Sequence, residues 1–146
     1  MRTAELNIDD GLVAYSVNGG KATITFNPTD ASFFKRLYDA FSKLSAMQDS
    51  VNEKHVEDAP EKVYEVLNEI SAQMKAQLDE TLAPFCNVPS ICEAVYGGMN
   101  LWAYSCGVPV WCNLVLSLID TAEGAAAEQK TLSKTAMEKY TKKYHR

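Results

Sequence analysis

Ala22-Thr23-Ile24-Thr25-Phe26-Asn27-Pro28-Thr29-Asp30 holds the change of apolar period on which the fold class turns. On its amino-terminal side Ala22, Ile24 and Phe26 alternate with Lys21, Thr23 and Thr25, the spacing of a strand with one buried face. The same period of two runs back through Val13, Tyr15 and Val17, and again through Ala4, Leu6 and Ile8. Asp10-Gly11 and Asn18-Gly19-Gly20 separate these runs with residues that accept positive φ, as tight reversals require. A three-stranded antiparallel β-meander over residues 4–26 is therefore predicted. Gly19-Gly20 is no phosphate loop, because no Gly-Lys-Ser/Thr follows it and no βαβ frame surrounds it.

On the carboxy-terminal side the period becomes helical. Asn27 or Thr29 can cap, Pro28 suits a first helical position, and Asp30 puts negative charge at the positive end of the helix dipole. Phe33, Phe34, Leu37, Tyr38, Phe41 and Leu44 then fall at three- and four-residue steps, with Lys35, Arg36, Asp39 and Lys43 on the other side. Gln48 to Ala59 is polar and acidic and reads as a frayed continuation or a linker. A second helix is predicted from Pro60 to Leu82, with Val63, Leu67, Ile70, Met74 and Leu78 as its apolar face. Opposite them stand Glu57, Glu61, Glu65 and Glu69, a column of like charges four residues apart that mildly disfavours its own helix. It reads either as a solvated face or as a contact strip for a basic partner.

No charged residue occurs from Ala94 to Ile119. Those 26 positions are long enough for a membrane span, but Gly97-Gly98, Asn100, Ser105, Gly107, Pro109 and Asn113 interrupt them and no Lys or Arg flanks their amino-terminal side. Two buried helices joined at Gly107-Val108-Pro109 fit better. Ser90-Ile91-Cys92-Glu93 has the spacing of a capping box and should open the first of them, ending at Gly97-Gly98. Trp111, Leu114, Val115, Leu118 and Ile119 supply the second, and Met99, Leu101 and Trp102 are expected in the core with them.

At 146 residues, 47% hydrophobic and 23% charged, the chain has the size and composition of a single globular domain. It divides into a β part (1–27), a helical body of four or five helices (28–129) and a basic tail (130–146), an α+β domain. The net charge of -5 provides no global basic field for nucleic acid or an anionic membrane. In the tail, six bases with Tyr140 and Tyr144 read as a solvated terminal helix. The first ten residues lack the basic-then-apolar stretch of a secretory signal, so the cytoplasm is the expected compartment.

There Cys86, Cys92, Cys106 and Cys112 should be reduced and, by default, buried. Their C-x5-C-x13-C-x5-C spacing offers an alternative, a cysteine-dependent metal-binding or redox protein. Zinc knuckles, however, place only about two to four residues between ligands. For acid–base or nucleophilic work the chain has His55 in an acidic stretch and His145 near its end, with no Gly-x-Ser-x-Gly elbow or His-Glu-x-x-His helix. A binding protein without catalytic residues or cofactor is the favoured class.

Ile24-Thr25-Phe26-Asn27-Pro28-Thr29-Asp30 leading into Phe33–Leu44, Cys92 to Asn100, Pro109 to Leu114 and the closing Glu138 to Tyr144 together resemble small proteins of the tail modules of phages and prophages of Gram-positive gut bacteria. Their layout is similar to that of tail assembly chaperones. The resemblance implies a β-ribbon before a helical body, a bacterial host cytoplasm, and a role in holding a tape-measure or tail-tube protein, or a second copy of itself, during tail assembly. The four cysteines and the basic tail have no counterpart in that role.

Overall fold

A computed structural model describes residues 1–54 and 60–144, with side chains except at 60, 129–137 and 139–144. In chain order the elements are β1 (Val13–Val17), β2 (Ala22–Phe26), α1 (Ala31–Asn52), α2 (Pro60–Leu82), a 3-10 turn (Ala83–Phe85), α3 (Ile91–Tyr96), β3 (Tyr104–Ser105), β4 (Val108–Pro109) and α4 (Val110–Tyr144). The class is α+β, with four α-helices and two small antiparallel sheets, β1–β2 and β3–β4.

The first correction concerns the meander, which has two strands instead of three. β1 and β2 pair from Val13↔Phe26 to Val17↔Ala22, closed by a loop in which Asn18, Gly19 and Gly20 all take positive φ. Residues 4–8 form no strand. Before β1 the amides of Gly11 and Leu12 donate to the carboxylates of Asp9 and Asp10, and Asn27 Nδ2 donates to the Asp10 carbonyl at 3.1 Å. These side-chain turns tie residues 9–12 to the corner after β2. A Cβ on Gly11, which has φ +70°, would stand 2.7 Å from Asn27 Nδ2, so the corner requires glycine.

β2 carries the core. Ala22, Ile24 and Phe26 are at most 1% exposed, whereas the facing β1 is half-buried only at Tyr15 and Val17. Phe26 stacks between Tyr15 and Phe33 at centroid distances of 4.8 and 4.1 Å, and Phe85 meets Phe33 edge-on. The second edge of β2 is covered too: Asn87 exchanges two hydrogen bonds with the Thr23 backbone, and Ile24 bridges to Cys86.

Asp30 is the N-cap of α1. Its Oδ1 accepts from the backbone N and the Oγ of Ser32, and these bonds hold its carboxyl below the usual carboxylate range. Asn27 and Thr29 bond to each other, and Pro28 sits inside the turn closed by the Asp30 amide on the Asn27 carbonyl. Arg36 clamps α1 to α2, donating from Nε and Nη2 to the Thr81 and Glu80 carbonyls at 2.8 and 3.1 Å and lying over Phe85. The last carbonyls of a helix have no intrahelical partner, so this cation meets both an unfilled acceptor and the negative end of the dipole. Tyr38, assigned to the apolar stripe of α1, is 56% exposed.

Of the two readings of Gln48 to Ala59, helix continuation holds for residues 48–52. α1 continues through them, and Gln48 is buried. Its Oε1 accepts from Trp111 Nε1 at 3.0 Å, and its Nε2 donates to the Trp102 carbonyl at 3.3 Å. Around it, Trp102 Nε1 donates to the Leu67 carbonyl, the Leu101 amide to Ser71 Oγ, and Tyr96 OH to the Val110 carbonyl. The uncharged stretch is thus tied to α1, α2 and α4 through backbone groups that would otherwise be buried unpaired.

That stretch holds the two expected helices, the end of α3 and the start of α4, but a loop and the miniature β3–β4 hairpin separate them where a direct join at Gly107-Val108-Pro109 was expected. Ser90 caps α3, with its Oγ accepting from the Glu93 amide, and Gly97 ends it. Cys106 and Gly107, with φ +55° and +78°, turn the chain between β3 and β4 as a type I′ pair requires. Leu101, Trp111, Leu114 and Leu118 are buried as expected and Trp102 is half-buried, but Met99 is 50% exposed. Among the described residues no helix is long and apolar enough to cross a membrane. α4 runs without a break from Val110 to Tyr144.

Replacing Gln48 by Leu keeps the volume and removes the polar partners of Trp111 Nε1 and the Trp102 carbonyl. With each orphaned group costing about 1–3 kcal/mol, Q48L should lose roughly 2–4 kcal/mol of stability in urea unfolding followed by tryptophan fluorescence. A loss under about 0.5 kcal/mol would show that the network is dispensable.

Candidate functional site

Two surfaces among the described residues bear on function. The first is a groove of about 400 Å³ between β1 and the α3–α4 side of the domain. Tyr15 to Asn18 form one wall, Val95, Tyr96 and Ser105 another, and α4 supplies the floor from Val110 to Thr121. None of the 13 lining residues is charged. The polar side chains on the floor are satisfied locally: Asn113 Nδ2 donates to the Ser105 carbonyl, Ser117 Oγ to the Asn113 carbonyl and Thr121 Oγ1 to the Leu118 carbonyl. Burial holds the Tyr96 hydroxyl well above its usual range, with the Cys92 thiol adding to the shift, so this phenol stays protonated and donates to Val110. The groove therefore has no general base and no activated nucleophile. It does have an open sheet edge, since β1 pairs with β2 alone among the described residues. An edge of this kind accepts an extended segment through main-chain hydrogen bonds.

Sequence reasoning singled out the ribbon edge but missed the groove against it. The available signal was Asn113, Ser117 and Thr121, small polar residues four apart in the part of α4 that is otherwise apolar up to Ile119. Nothing in the linear pattern says that this stripe faces β1.

The second surface is the outer face of α2. Glu61, Glu65 and Glu69 are all exposed, and no ion pair or hydrogen bond engages their carboxylates among the described residues. Exposed Tyr64 and Val66 lie on the same helix. Glu57 lies outside the described residues, so the upper end of the column has no structural account. His55 and His145 also lie outside them.

The cysteines do not form one site. Among the described residues no three His, Cys, Asp or Glu side chains converge as a metal would require. Cys106 is exposed at the tip of the β3–β4 turn, against the expectation of burial; Cys86 is half-buried, and Cys92 and Cys112 are buried. The Cys92 Sγ lies 3.7 Å from the Lys75 carbonyl, and its amide donates to Asp79, which also accepts from Ser90 Oγ at 2.7 Å. Asp79 and Ser90 together satisfy the start of α3. Burial pushes the Cys86 thiol up to about 11, with the Asp79 charge contributing, and pushes the thiols of Cys92 and Cys112 up as well. These are thiols suited to packing instead of nucleophilic or redox work.

Titration of the native protein with an aromatic disulfide at about pH 8 is expected to modify Cys106 first and Cys86 slowly, with Cys92 and Cys112 reacting only on unfolding. The folded state keeps the Cys86 proton up to about 11 while the unfolded thiol releases it near 9.0. Its contribution to stability is therefore present below pH 9 and lost as pH rises through about 11. Fast labelling of Cys92 in the native state would contradict this placement.

Comparison of the chain with protein-family models, with curated proteins and with solved structures gave no match.

Proposed function

We propose that this protein is a non-enzymatic, chaperone-like factor of phage or prophage tail assembly that acts by holding another protein, a tape-measure or tail-tube protein. The observation that carries the binding part is the open edge of β1 beside an uncharged groove. The exposed and unpaired Glu61, Glu65 and Glu69 add a second contact surface, where a basic segment of the partner would relieve the repulsion along α2. The absence of a base or activated nucleophile in the groove favours binding over turnover. The tail-module assignment itself rests on the sequence resemblance in Ile24–Asp30, Cys92–Asn100 and Pro109–Leu114.

Reversing Glu61 and Glu65 to Lys should not lower the urea midpoint and should raise it slightly, because both are exposed and the reversal replaces the like-charge spacing to Glu69 along α2 by an opposite one. It should weaken capture of an identified tape-measure or tail-tube protein from a phage-induced lysate by roughly tenfold, about 1.4 kcal/mol, as expected for two lost and inverted surface contacts. Capture indifferent both to this reversal and to a blocked β1 edge would remove the proposed surfaces.

A further inference from the structure

We propose that residues 4–8 of one copy of this chain add as a third strand along the outer edge of β1 of a second copy, reciprocally, with Leu6 and Ile8 seated in the groove between β1 and α4. The inference rests on the open β1 edge of the protein-binding reading above and assigns that edge to a second copy, which a tape-measure or tail-tube protein would have to displace, leaving the α2 face free for it.

The segment before β1 has the pattern of a strand and lacks a sheet. Ala4, Leu6 and Ile8 alternate with Glu5 and Asn7, yet Leu6 is 83% and Ile8 79% exposed. Period-two apolar residues in full solvent are the signature of a strand whose partner lies elsewhere. The partner is not β1 of the same chain. The turns at Asp9 and Asp10, the positive φ of Gly11 and the bond from Asn27 to the Asp10 carbonyl hold this segment at the corner beyond β2. A second copy meets no such restriction.

Its edge also fits. β1 offers five residues, Val13–Val17, to the five of Ala4–Ile8. The face of the segment that bears Ala4, Leu6 and Ile8 carries no charge, and neither does the groove, so docking desolvates none. Glu5 and Asn7, on the other face, stay in water. The five residues of the arm and the 13 that line the groove make 18 on each copy, just under the roughly 20–30 residues a side of a standard interface. Reciprocal exchange about a two-fold axis closes the assembly and leaves no β1 edge open.

The test is sedimentation of the full-length protein at tens of micromolar, with Leu6→Asp/Ile8→Asp as the arm variant and Ser117→Glu as the groove variant. All three side chains are exposed, so an unchanged urea midpoint separates lost association from lost folding. The expected result is a wild-type dimer whose dissociation constant rises by roughly thirtyfold or more in either variant, the loss typical of an interface hot spot. An equimolar mixture of the two variants keeps one intact arm and one intact groove, and it should associate more than either alone. A monomeric wild type, a dimer indifferent to either variant, or a mixture no better than its components would overturn the exchange. A monomer that still captures the tape-measure or tail-tube protein removes the exchange and leaves the assembly reading. An arm-dependent dimer that captures neither supports the exchange and removes the assembly reading.

Discussion

The one-sided burial of β2 is the constraint on which the rest of this structure depends. Ala22, Ile24 and Phe26 are removed from water on a single face, and a two-stranded ribbon cannot do that alone, so α1, α3 and the 3-10 turn must close over it. The stack of Phe26 on Phe33 sets where α1 begins relative to the strand, and Asp30 caps the helix at the place the stack requires. Arg36 then fixes the end of α2 and brings Phe85 onto the same aromatic cluster. Cys86 and Asn87 follow immediately and cover the second edge of β2. One buried face thus determines the positions of two helix ends and of the segment that leaves β1 as the open edge.

A second constraint operates in the uncharged half of the chain. Residues 97–109 are mostly irregular, so their backbone polar groups cannot be satisfied by a helix or a long sheet. The solution is a set of side-chain bonds from neighbouring helices: Gln48 of α1, Ser71 and Lys75 of α2, and Tyr96 of α3. No buried side-chain nitrogen or oxygen among the described residues lacks a partner. This is why a stretch without charge serves as core here while containing three glycines, an asparagine and a proline that would suit a membrane span poorly.

The functional reading follows from what these two constraints leave over. The groove floor is built by the apolar first turns of α4, whose small polar residues bond to nearby backbone instead of reaching outward. Its wall is the strand that the core does not need on its outer side. A surface made this way is neutral, chemically inert and bordered by free main-chain groups, which suits recognition of an extended segment through its backbone. The acidic face of α2 lies on a different element and would act by charge, so the two surfaces are separable in mutagenesis.

Much of the local structure was legible in the chain. The change of period at Asn27, the hairpin at Asn18-Gly19-Gly20, the limits of α2 at Pro60 and Leu82 and the Ser90 cap of α3 all follow from residues a few positions apart, where sterics and hydrogen-bond geometry act locally. What the linear pattern could not decide is which polar residue finds a distant partner. Ala4 to Ile8 alternates as well as β2 does, but a strand needs an edge, and the bond of Asn27 to Asp10 directs the chain away from the available one. Gln48 reads as the start of a frayed helix end or a linker because its partners, Trp102 and Trp111, lie more than fifty residues away. The cysteines share a symmetric spacing, yet packing sends Cys106 to a turn tip and Cys92 into the core. Residue type and spacing fixed the elements because their causes are short-ranged; the open edge, the groove and the burial of Gln48 were decided by tertiary contacts, whose energies depend on neighbours that no local window contains.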